Sequence, residues 1–309
     1  MNSPANAAPE PLESQSILPA TLSRTRPLYW SIRRELWEHR YLYLAPLAIG
    51  GVVLFGDVFV LAHLPSTFRA AIALDPMHQR EPLAQPFEVA AGLIMAAAFI
   101  VSIFYAIDAL YGERRDRSIL FWKSLPVSDR TAVLAKAGVL FLVLPTIAFA
   151  ITLVAEAILL FLSSAVLAAS GLSAATLWAQ LRPVESMLGL LYHLVTVHIL
   201  WYAPLYAWLM LVSAWSRRAP FLWAALPPFA IGIFEKIAFH TSYFAHFLLS
   251  RVSGSTEAAR SVQGDYLMIS GMRSPFWLFL ATPGLWWGLV FAASFLFVAM
   301  RLRRYRGPA

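Results

Sequence analysis

Six apolar runs, each long enough to cross a bilayer, constrain this chain more than any other feature. A helix needs roughly 20 apolar residues to traverse the hydrocarbon core. The runs lie at about 42–62, 87–111, 133–160, 188–214, 220–238 and 283–301. Composition points the same way. Hydrophobic residues make up 59% of the 309 and charged residues 13%, with a mean hydropathy of +0.64. A soluble domain carries about 25% charge. The expected fold is an all-α polytopic membrane protein, with one membrane domain over residues 23–309.

Lys and Arg set the orientation, because short inner loops collect them. With the N-terminus inside, the inner segments hold 17 of the 24 basic residues, among them Arg114, Arg115, Arg117, Arg217, Arg218 and Arg301. The outer side keeps Arg69, Arg80, Arg182, Lys236, Arg251, Arg260 and Arg273. Six spans with both termini cytoplasmic follow. The apolar stretch 132–169 reads as one long tilted helix or a helix with a re-entrant turn, since two spans there would put Arg217 and Arg218 outside. The formal charge of +7 belongs to this topology and to anionic lipid of the inner leaflet, not to nucleic acid. Cysteine is absent, which excludes disulfides and thiol chemistry. Residues 1–22 are rich in Pro, Ala and Ser without a basic start or apolar core, and are expected to be a disordered cytoplasmic tail.

Two amphipathic segments flank the first spans. Residues 27–40 alternate Leu28, Ile32 and Leu36 with Trp30, Arg33, Arg34 and Trp37, as in a helix lying at the inner interface with Trp at headgroup level and Arg outward. Residues 112–130 form a charged island between the second and third runs that also carries Ile119, Leu120, Phe121, Trp122 and Leu125. An apolar ridge on a basic loop needs a protein or a headgroup layer to cover it. A short helix over 113–125 is expected, ended by Pro126 and followed by a helix capped by Ser128 with Asp129 in its first turn. Outside, residues 63–86 carry four prolines and read as irregular. Residues 239–249 and 275–280 are apolar but too short to span, as re-entrant elements are.

The motifs of catalysis are missing. The seven histidines include His193 with His198 and His240 with His246, yet neither pair has metal-ligand spacing with a third ligand nearby. No nucleophile elbow or phosphate-binding Gly-Lys loop occurs. Ionisable residues within the runs are functional candidates: Asp57, Glu88, Asp108, Glu156, Glu235 and Lys236. Glu156 lies deepest and reads either as a substrate or proton site or as a structural hydrogen bond to a neighbouring helix. On the fourth run His198, Trp201, Leu205 and Trp208 repeat at 3, 4 and 3 residues. That face could line the path of an amphipathic substrate or serve lipid contact and packing.

The interfacial helix, the charged helix after the second span and the long outer loop before the sixth together resemble the permease subunits of type-2 ABC exporters. Residues 108–129, with Glu113-Arg114, Ser118-Ile119 and Ser124-Leu125-Pro126-Val127, look like that family's cytoplasmic loop. The resemblance implies that the 113–125 helix is a coupling helix seated in a cleft of a separate cytosolic P-loop ATPase. Phe121, Trp122 and Leu125 would be its buried contacts, with Glu113, Arg114, Arg115, Asp116, Arg117 and Lys123 as the charged rim. It further implies that Trp30, Arg33, Arg34 and Trp37 belong to a connecting helix touching the same partner. Two ATPases would carry ATP and Mg²⁺ and drive a homodimer of this chain in a bacterial cytoplasmic membrane, with no cofactor bound by the chain itself. Two other classes remain open: a membrane subunit used for sensing or assembly, and an enzyme embedded in the membrane.

Overall fold

The computed structural model describes residues 25–124, 127–252 and 279–305, and every regular element among them is helical. An interfacial-length helix α1 (Thr25–Glu38) leads into α2 (Tyr41–Ile72), α3 (Arg80–Asp108) and two short helices, α4 (Tyr111–Arg115) and α5 (Ser118–Ser124). α6 (Asp129–Gly138), the π-helical segment π1 (Val139–Val143) and α7 (Leu144–Ala169) run on as one helix. α8 (Ala174–Leu181), α9 (Pro183–His193) and π2 (Leu194–Trp201) make up the fourth candidate span, Ala174–Trp201, and α10 (Ala203–Trp215) follows as a shorter apolar helix. α11 (Pro220–Phe239), α12 (Tyr243–Val252) and α13 (Pro283–Tyr305) complete the described chain. Six helical runs among the described residues are long and apolar enough to cross a membrane. The chain is an integral membrane protein of the helical type.

Local chemistry sets the boundaries. Ser128 caps α6 as expected, its hydroxyl accepting the Thr131 N–H at 3.1 Å. α7 ends on Gly171, whose φ of +68° suits a residue without Cβ. There the Leu172 N–H returns to the Leu167 carbonyl at 2.9 Å, the bond pattern of a glycine-stopped helix. Arg182 and Ala219 also take positive φ. Each precedes a proline, whose ring disfavours the right-handed helical region one residue earlier. The outer loop is shorter than its four prolines suggested. α2 continues through Pro65 and α3 already contains Pro86, which leaves only 73–79 outside regular helix. The 132–169 stretch is one helix, so two spans there are excluded.

The core follows from helical periodicity. Leu42, Gly50, Val53, Asp57, Leu61, Leu64 and Phe68 form the buried stripe of α2, spaced three and four residues apart for most of its length, as a single packing face requires. One large cluster at the basic end joins Leu42, Tyr105, Leu140, Tyr206 and Met210. A second, at the far end, joins Leu61, Phe68, Leu83, Leu159 and Leu177. By contrast, only Ala224 of α11 is buried, so this span meets the bundle along almost none of its length.

α12 is fastened at both ends. Glu235, a candidate functional carboxylate by sequence, instead accepts the Tyr243 and Phe244 N–H groups at 2.7 and 2.8 Å, satisfying the helix's orphan donors. At its other end Arg251 is buried, donates to the Trp201 carbonyl at 3.3 Å and to Gly284 O, and lies over the Trp201 ring at 3.9 Å. Residues 1–22, and the polar stretch from 253 with the start of the second apolar element at 275–278, lie outside the described residues.

A Cβ at Gly288 would sit 2.9 Å from the Arg251 guanidinium, whereas one at Gly284 would meet it at an ordinary 3.8 Å. Gly288→Val is therefore expected to displace Arg251 and destabilise the detergent-solubilised protein by about 1–3 kcal/mol, with Gly284→Ala near neutral. Equal melting temperatures for the two variants would show that α12 does not rest on this glycine.

Candidate functional site

The chain enters the site where α3 stops. The Ser213 hydroxyl on α10 accepts both the Leu110 and the Tyr111 N–H at 2.9 Å, so one buried side chain satisfies two backbone donors at the break. Arg114, on α4, then donates to the Ser213 carbonyl at 2.8 Å and to Ser216 O. Carbonyls in a helix's last turn lack intrahelical donors and favour a cation. α4 is thereby pinned to the end of α10.

Beside it lies a buried charge hub. Lys136 of α6 reaches both oxygens of Glu35 at 2.8 and 2.9 Å and Glu113 Oε1 at 3.2 Å. Arg34 contacts Glu35 at 2.7 Å and Glu113 at 3.3 Å. Arg303 of α13 pairs with Glu113 Oε2 and with Asp129 at 3.3 Å. The Tyr105 hydroxyl donates to Glu35 at 2.9 Å. Counting Glu38, which lies 3.6 Å from Arg34, four carboxylates thus face three cations drawn from α1, α4, α6 and α13. Glu35 and Lys136 are almost fully enclosed. Charges so placed are tolerated only when paired and hydrogen-bonded. Burial by itself pushes the Glu35 carboxyl up, but the attraction and hydrogen bonds of Lys136 and Arg34 outweigh it and hold the group down at about 2.

Glu35, Glu38 and His39 bring three ligand-type atoms within 4.8 Å. Lys136 and Arg34 already occupy the Glu35 oxygens, and their charges oppose a metal cation there. We assign these residues to the hub.

The chain next turns at Arg117, in the left-handed region at φ 59°, and starts α5. Ile119 is buried and holds the helix to the bundle, while Leu120 is 57% and Phe121 60% exposed. Trp122 meets Phe121 edge-on at 4.9 Å, and the Arg34 guanidinium lies over its ring at 3.8 Å. Lys123 donates to the Arg304 carbonyl at 3.4 Å. Arg115 and Asp116 are exposed and pair with each other at 2.9 Å. On α1, Arg33 lies between Trp30 and Trp37 at 5.3 and 4.8 Å, and both tryptophans are exposed.

Several expected roles change. Glu113 and Arg114, read as part of a charged rim, are interior, because one belongs to the hub and the other caps α10. Arg34, read as pointing outward, bridges Glu113 and Trp122. The single helix expected at 113–125 is two helices, since Arg117 breaks the run. Leu125 and Pro126 lie outside the described residues. Arg115, Asp116, Arg117 and Lys123 do remain exposed around Leu120 and Phe121. Sequence reasoning missed Glu35, Lys136, Arg303 and Ser213. The signal available was a lone Lys136 inside the apolar run 132–141.

Trp201 and Trp208, read as part of a substrate path, have separate polar partners. Glu156 is half-buried and makes no hydrogen bond or ion pair among the described residues. His198 and Trp201 are buried, but Trp201 turns toward α12, where its Nε1 donates to Ser250 O at 3.0 Å. Trp208 donates to Ala224 O of α11 at 3.1 Å. A π-turn and a break at Tyr202 lie between His198 and Trp208.

The fold and site together define a helical integral membrane protein whose basic end carries a short apolar helix on a buried charge hub. Set against known protein families, curated proteins and solved structures, the chain matches none.

Two outcomes follow from the hub. Lys136→Met leaves Glu35 buried beside one cation fewer and is expected to cost about 3–5 kcal/mol, against under about 1 kcal/mol for Asp116→Asn on the exposed Arg115 pair. Similar thermal shifts for both would contradict the burial described. Because Glu35 titrates lower in the folded chain than its ordinary 4.5, its contribution is complete above about pH 4.5 and lost as pH falls toward 2. Thermal stability of the solubilised protein should fall in that window, and Glu35→Gln, although less stable, should flatten the dependence.

Proposed function

We propose that this chain is the membrane-spanning permease subunit of an ATP-driven exporter of the type-2 ABC class. It works as a homodimer in a bacterial cytoplasmic membrane, both termini inside, with the substrate path between the two copies. Two copies of a separate cytosolic P-loop ATPase carry ATP and Mg²⁺, and this chain performs no hydrolysis of its own.

The observation that carries this reading is the exposed Leu120–Phe121 pair on α5, a helix that is otherwise rigidly mounted. Two large exposed apolar side chains, with exposed Arg115, Asp116, Arg117 and Lys123 close to them in sequence, supply the groups a small protein interface needs, an apolar centre and a charged rim. The mounting supports the same reading. A force on α5 passes through Trp122 to Arg34, and from Arg34 to Glu35 and Glu113. Those carboxylates are bound in turn to α6 and α13. ATP-driven closure of the two partner subunits would therefore move α1 and three span ends together. α1 adds Trp30 and Trp37 on the same end of the molecule, where they serve the lipid headgroup layer or the edge of the ATPase.

Co-purification from native membranes in mild detergent tests the reading. A soluble P-loop ATPase is expected at about one copy per permease. Phe121→Asp should weaken its retention by about 10–100-fold, the value of burying one large apolar side chain, without lowering thermal stability. Arg34→Met should keep the partner bound but abolish the response of its ATPase rate to the permease. A preparation free of any ATPase, or unchanged retention by Phe121→Asp, would remove this reading.

A further inference from the structure

His193 and His198 are five residues apart, which places them roughly 140° apart around a regular α-helix. π2 begins between them. Its i→i+5 bonds widen the turn, exemplified by the Tyr202 N–H reaching Val197 O at 3.0 Å. Residues five apart then lie nearly one above the other. The two imidazoles stand 5.7 Å apart between centroids, inclined at 68°.

Their surroundings are those of a ligand pair awaiting a third atom. His198 is only 7% exposed, and the Tyr202 ring closes its other side edge-on at 5.5 Å. His193 is half-buried, so the pair opens on that side. Its Nδ1 is enclosed without any hydrogen-bond partner. Neither ring forms an ion pair among the described residues, and the Tyr202 hydroxyl is directed to Val252 O at 3.3 Å. The enclosed His193 Nδ1 therefore has a lone pair or proton that no group among the described residues uses. π-Helical turns are rare and concentrate at functional positions.

We propose that His193 and His198 bind one transition-metal ion of the zinc class, each imidazole supplying one nitrogen. Neutral imidazole suits Zn²⁺, Ni²⁺ and Cu²⁺. Metal–nitrogen bonds of about 2.0–2.1 Å put two ring centroids about 5–6 Å apart when they share one ion, a range that contains the observed separation. The remaining coordination positions open toward the half-buried side of His193 and are filled by water or by a small ligand. An ion held by both rings also fixes π2 in its wide form, since rewinding to α-helix carries the two residues to different faces. The site stands whether or not an ATPase partners the chain.

The test uses the purified full-length chain in detergent, with Co²⁺ as an absorbing probe and Zn²⁺ as competitor. One Co²⁺ per chain is expected, displaced by Zn²⁺, together with a Zn²⁺-dependent rise in melting temperature of the unmutated protein. His193→Gln and His198→Gln should each weaken binding about tenfold or more, as loss of one of two linked ligands does. His240→Gln, on the exposed turn between α11 and α12, should leave the site unchanged. Failure of the unmutated chain to bind Co²⁺ or to gain stability from Zn²⁺ overturns the proposal, and this readout holds even if a variant fails to fold. So does full binding by the folded His193→Gln/His198→Gln double variant.

Discussion

Everything at the basic end of the molecule depends on the pairing of Glu35 with Lys136. Each is enclosed almost completely, and neither could stay charged there alone. The pair fastens α1, which has no lipid-spanning length of its own, to the start of the third span. Around it Glu113 and Arg303 extend the same principle to the loop after the second span and to the last helix. A single set of charges therefore fixes the relative positions of elements that are distant in sequence. Apolar packing, being non-directional, would leave such short helices free to slide.

The loop after the second span is also tied to the bundle, although it is short and polar. α4 has five residues and α5 seven, too few to be stable helices in water. Ser213, Arg114 and Glu113 hold the first, while Ile119 and the Arg34–Trp122 stack hold the second. What stays unsatisfied is the outward side, Leu120 and Phe121, and that contrast gives the loop its directional character.

Much of the architecture was legible in the sequence, because bilayer thickness turns composition directly into helix length. The six spans, the Ser128 cap and the amphipathic α1 all follow from rules that act within one turn or one run. The hub did not follow, since no local rule pairs residue 35 with residue 136 or residue 113 with residue 303. Arg114 looked like a rim residue for the same reason: a charge in a charged loop gives no hint that two carbonyls of α10 await it. His193 and His198 were set aside because their spacing of five does not bring ligands together in a regular α-helix and no third ligand lies nearby, and a π-turn leaves no plain mark in composition. Prolines misled in the other direction, as Pro65 and Pro86 sit within helices whose neighbouring turns absorb the missing donor.

The hub has a consequence for how the protein is made. Its members emerge from the ribosome in the order 34–35, 113, 129, 136 and finally 303. Until α13 arrives, Glu113 and Asp129 lack the Arg303 guanidinium that pairs with both. The pairing around Glu113 is complete only once α13 has packed against α4 and α6, so it forms late in the assembly of this bundle. Without α13, two buried or half-buried carboxylates would be left facing the basic end with one cation fewer.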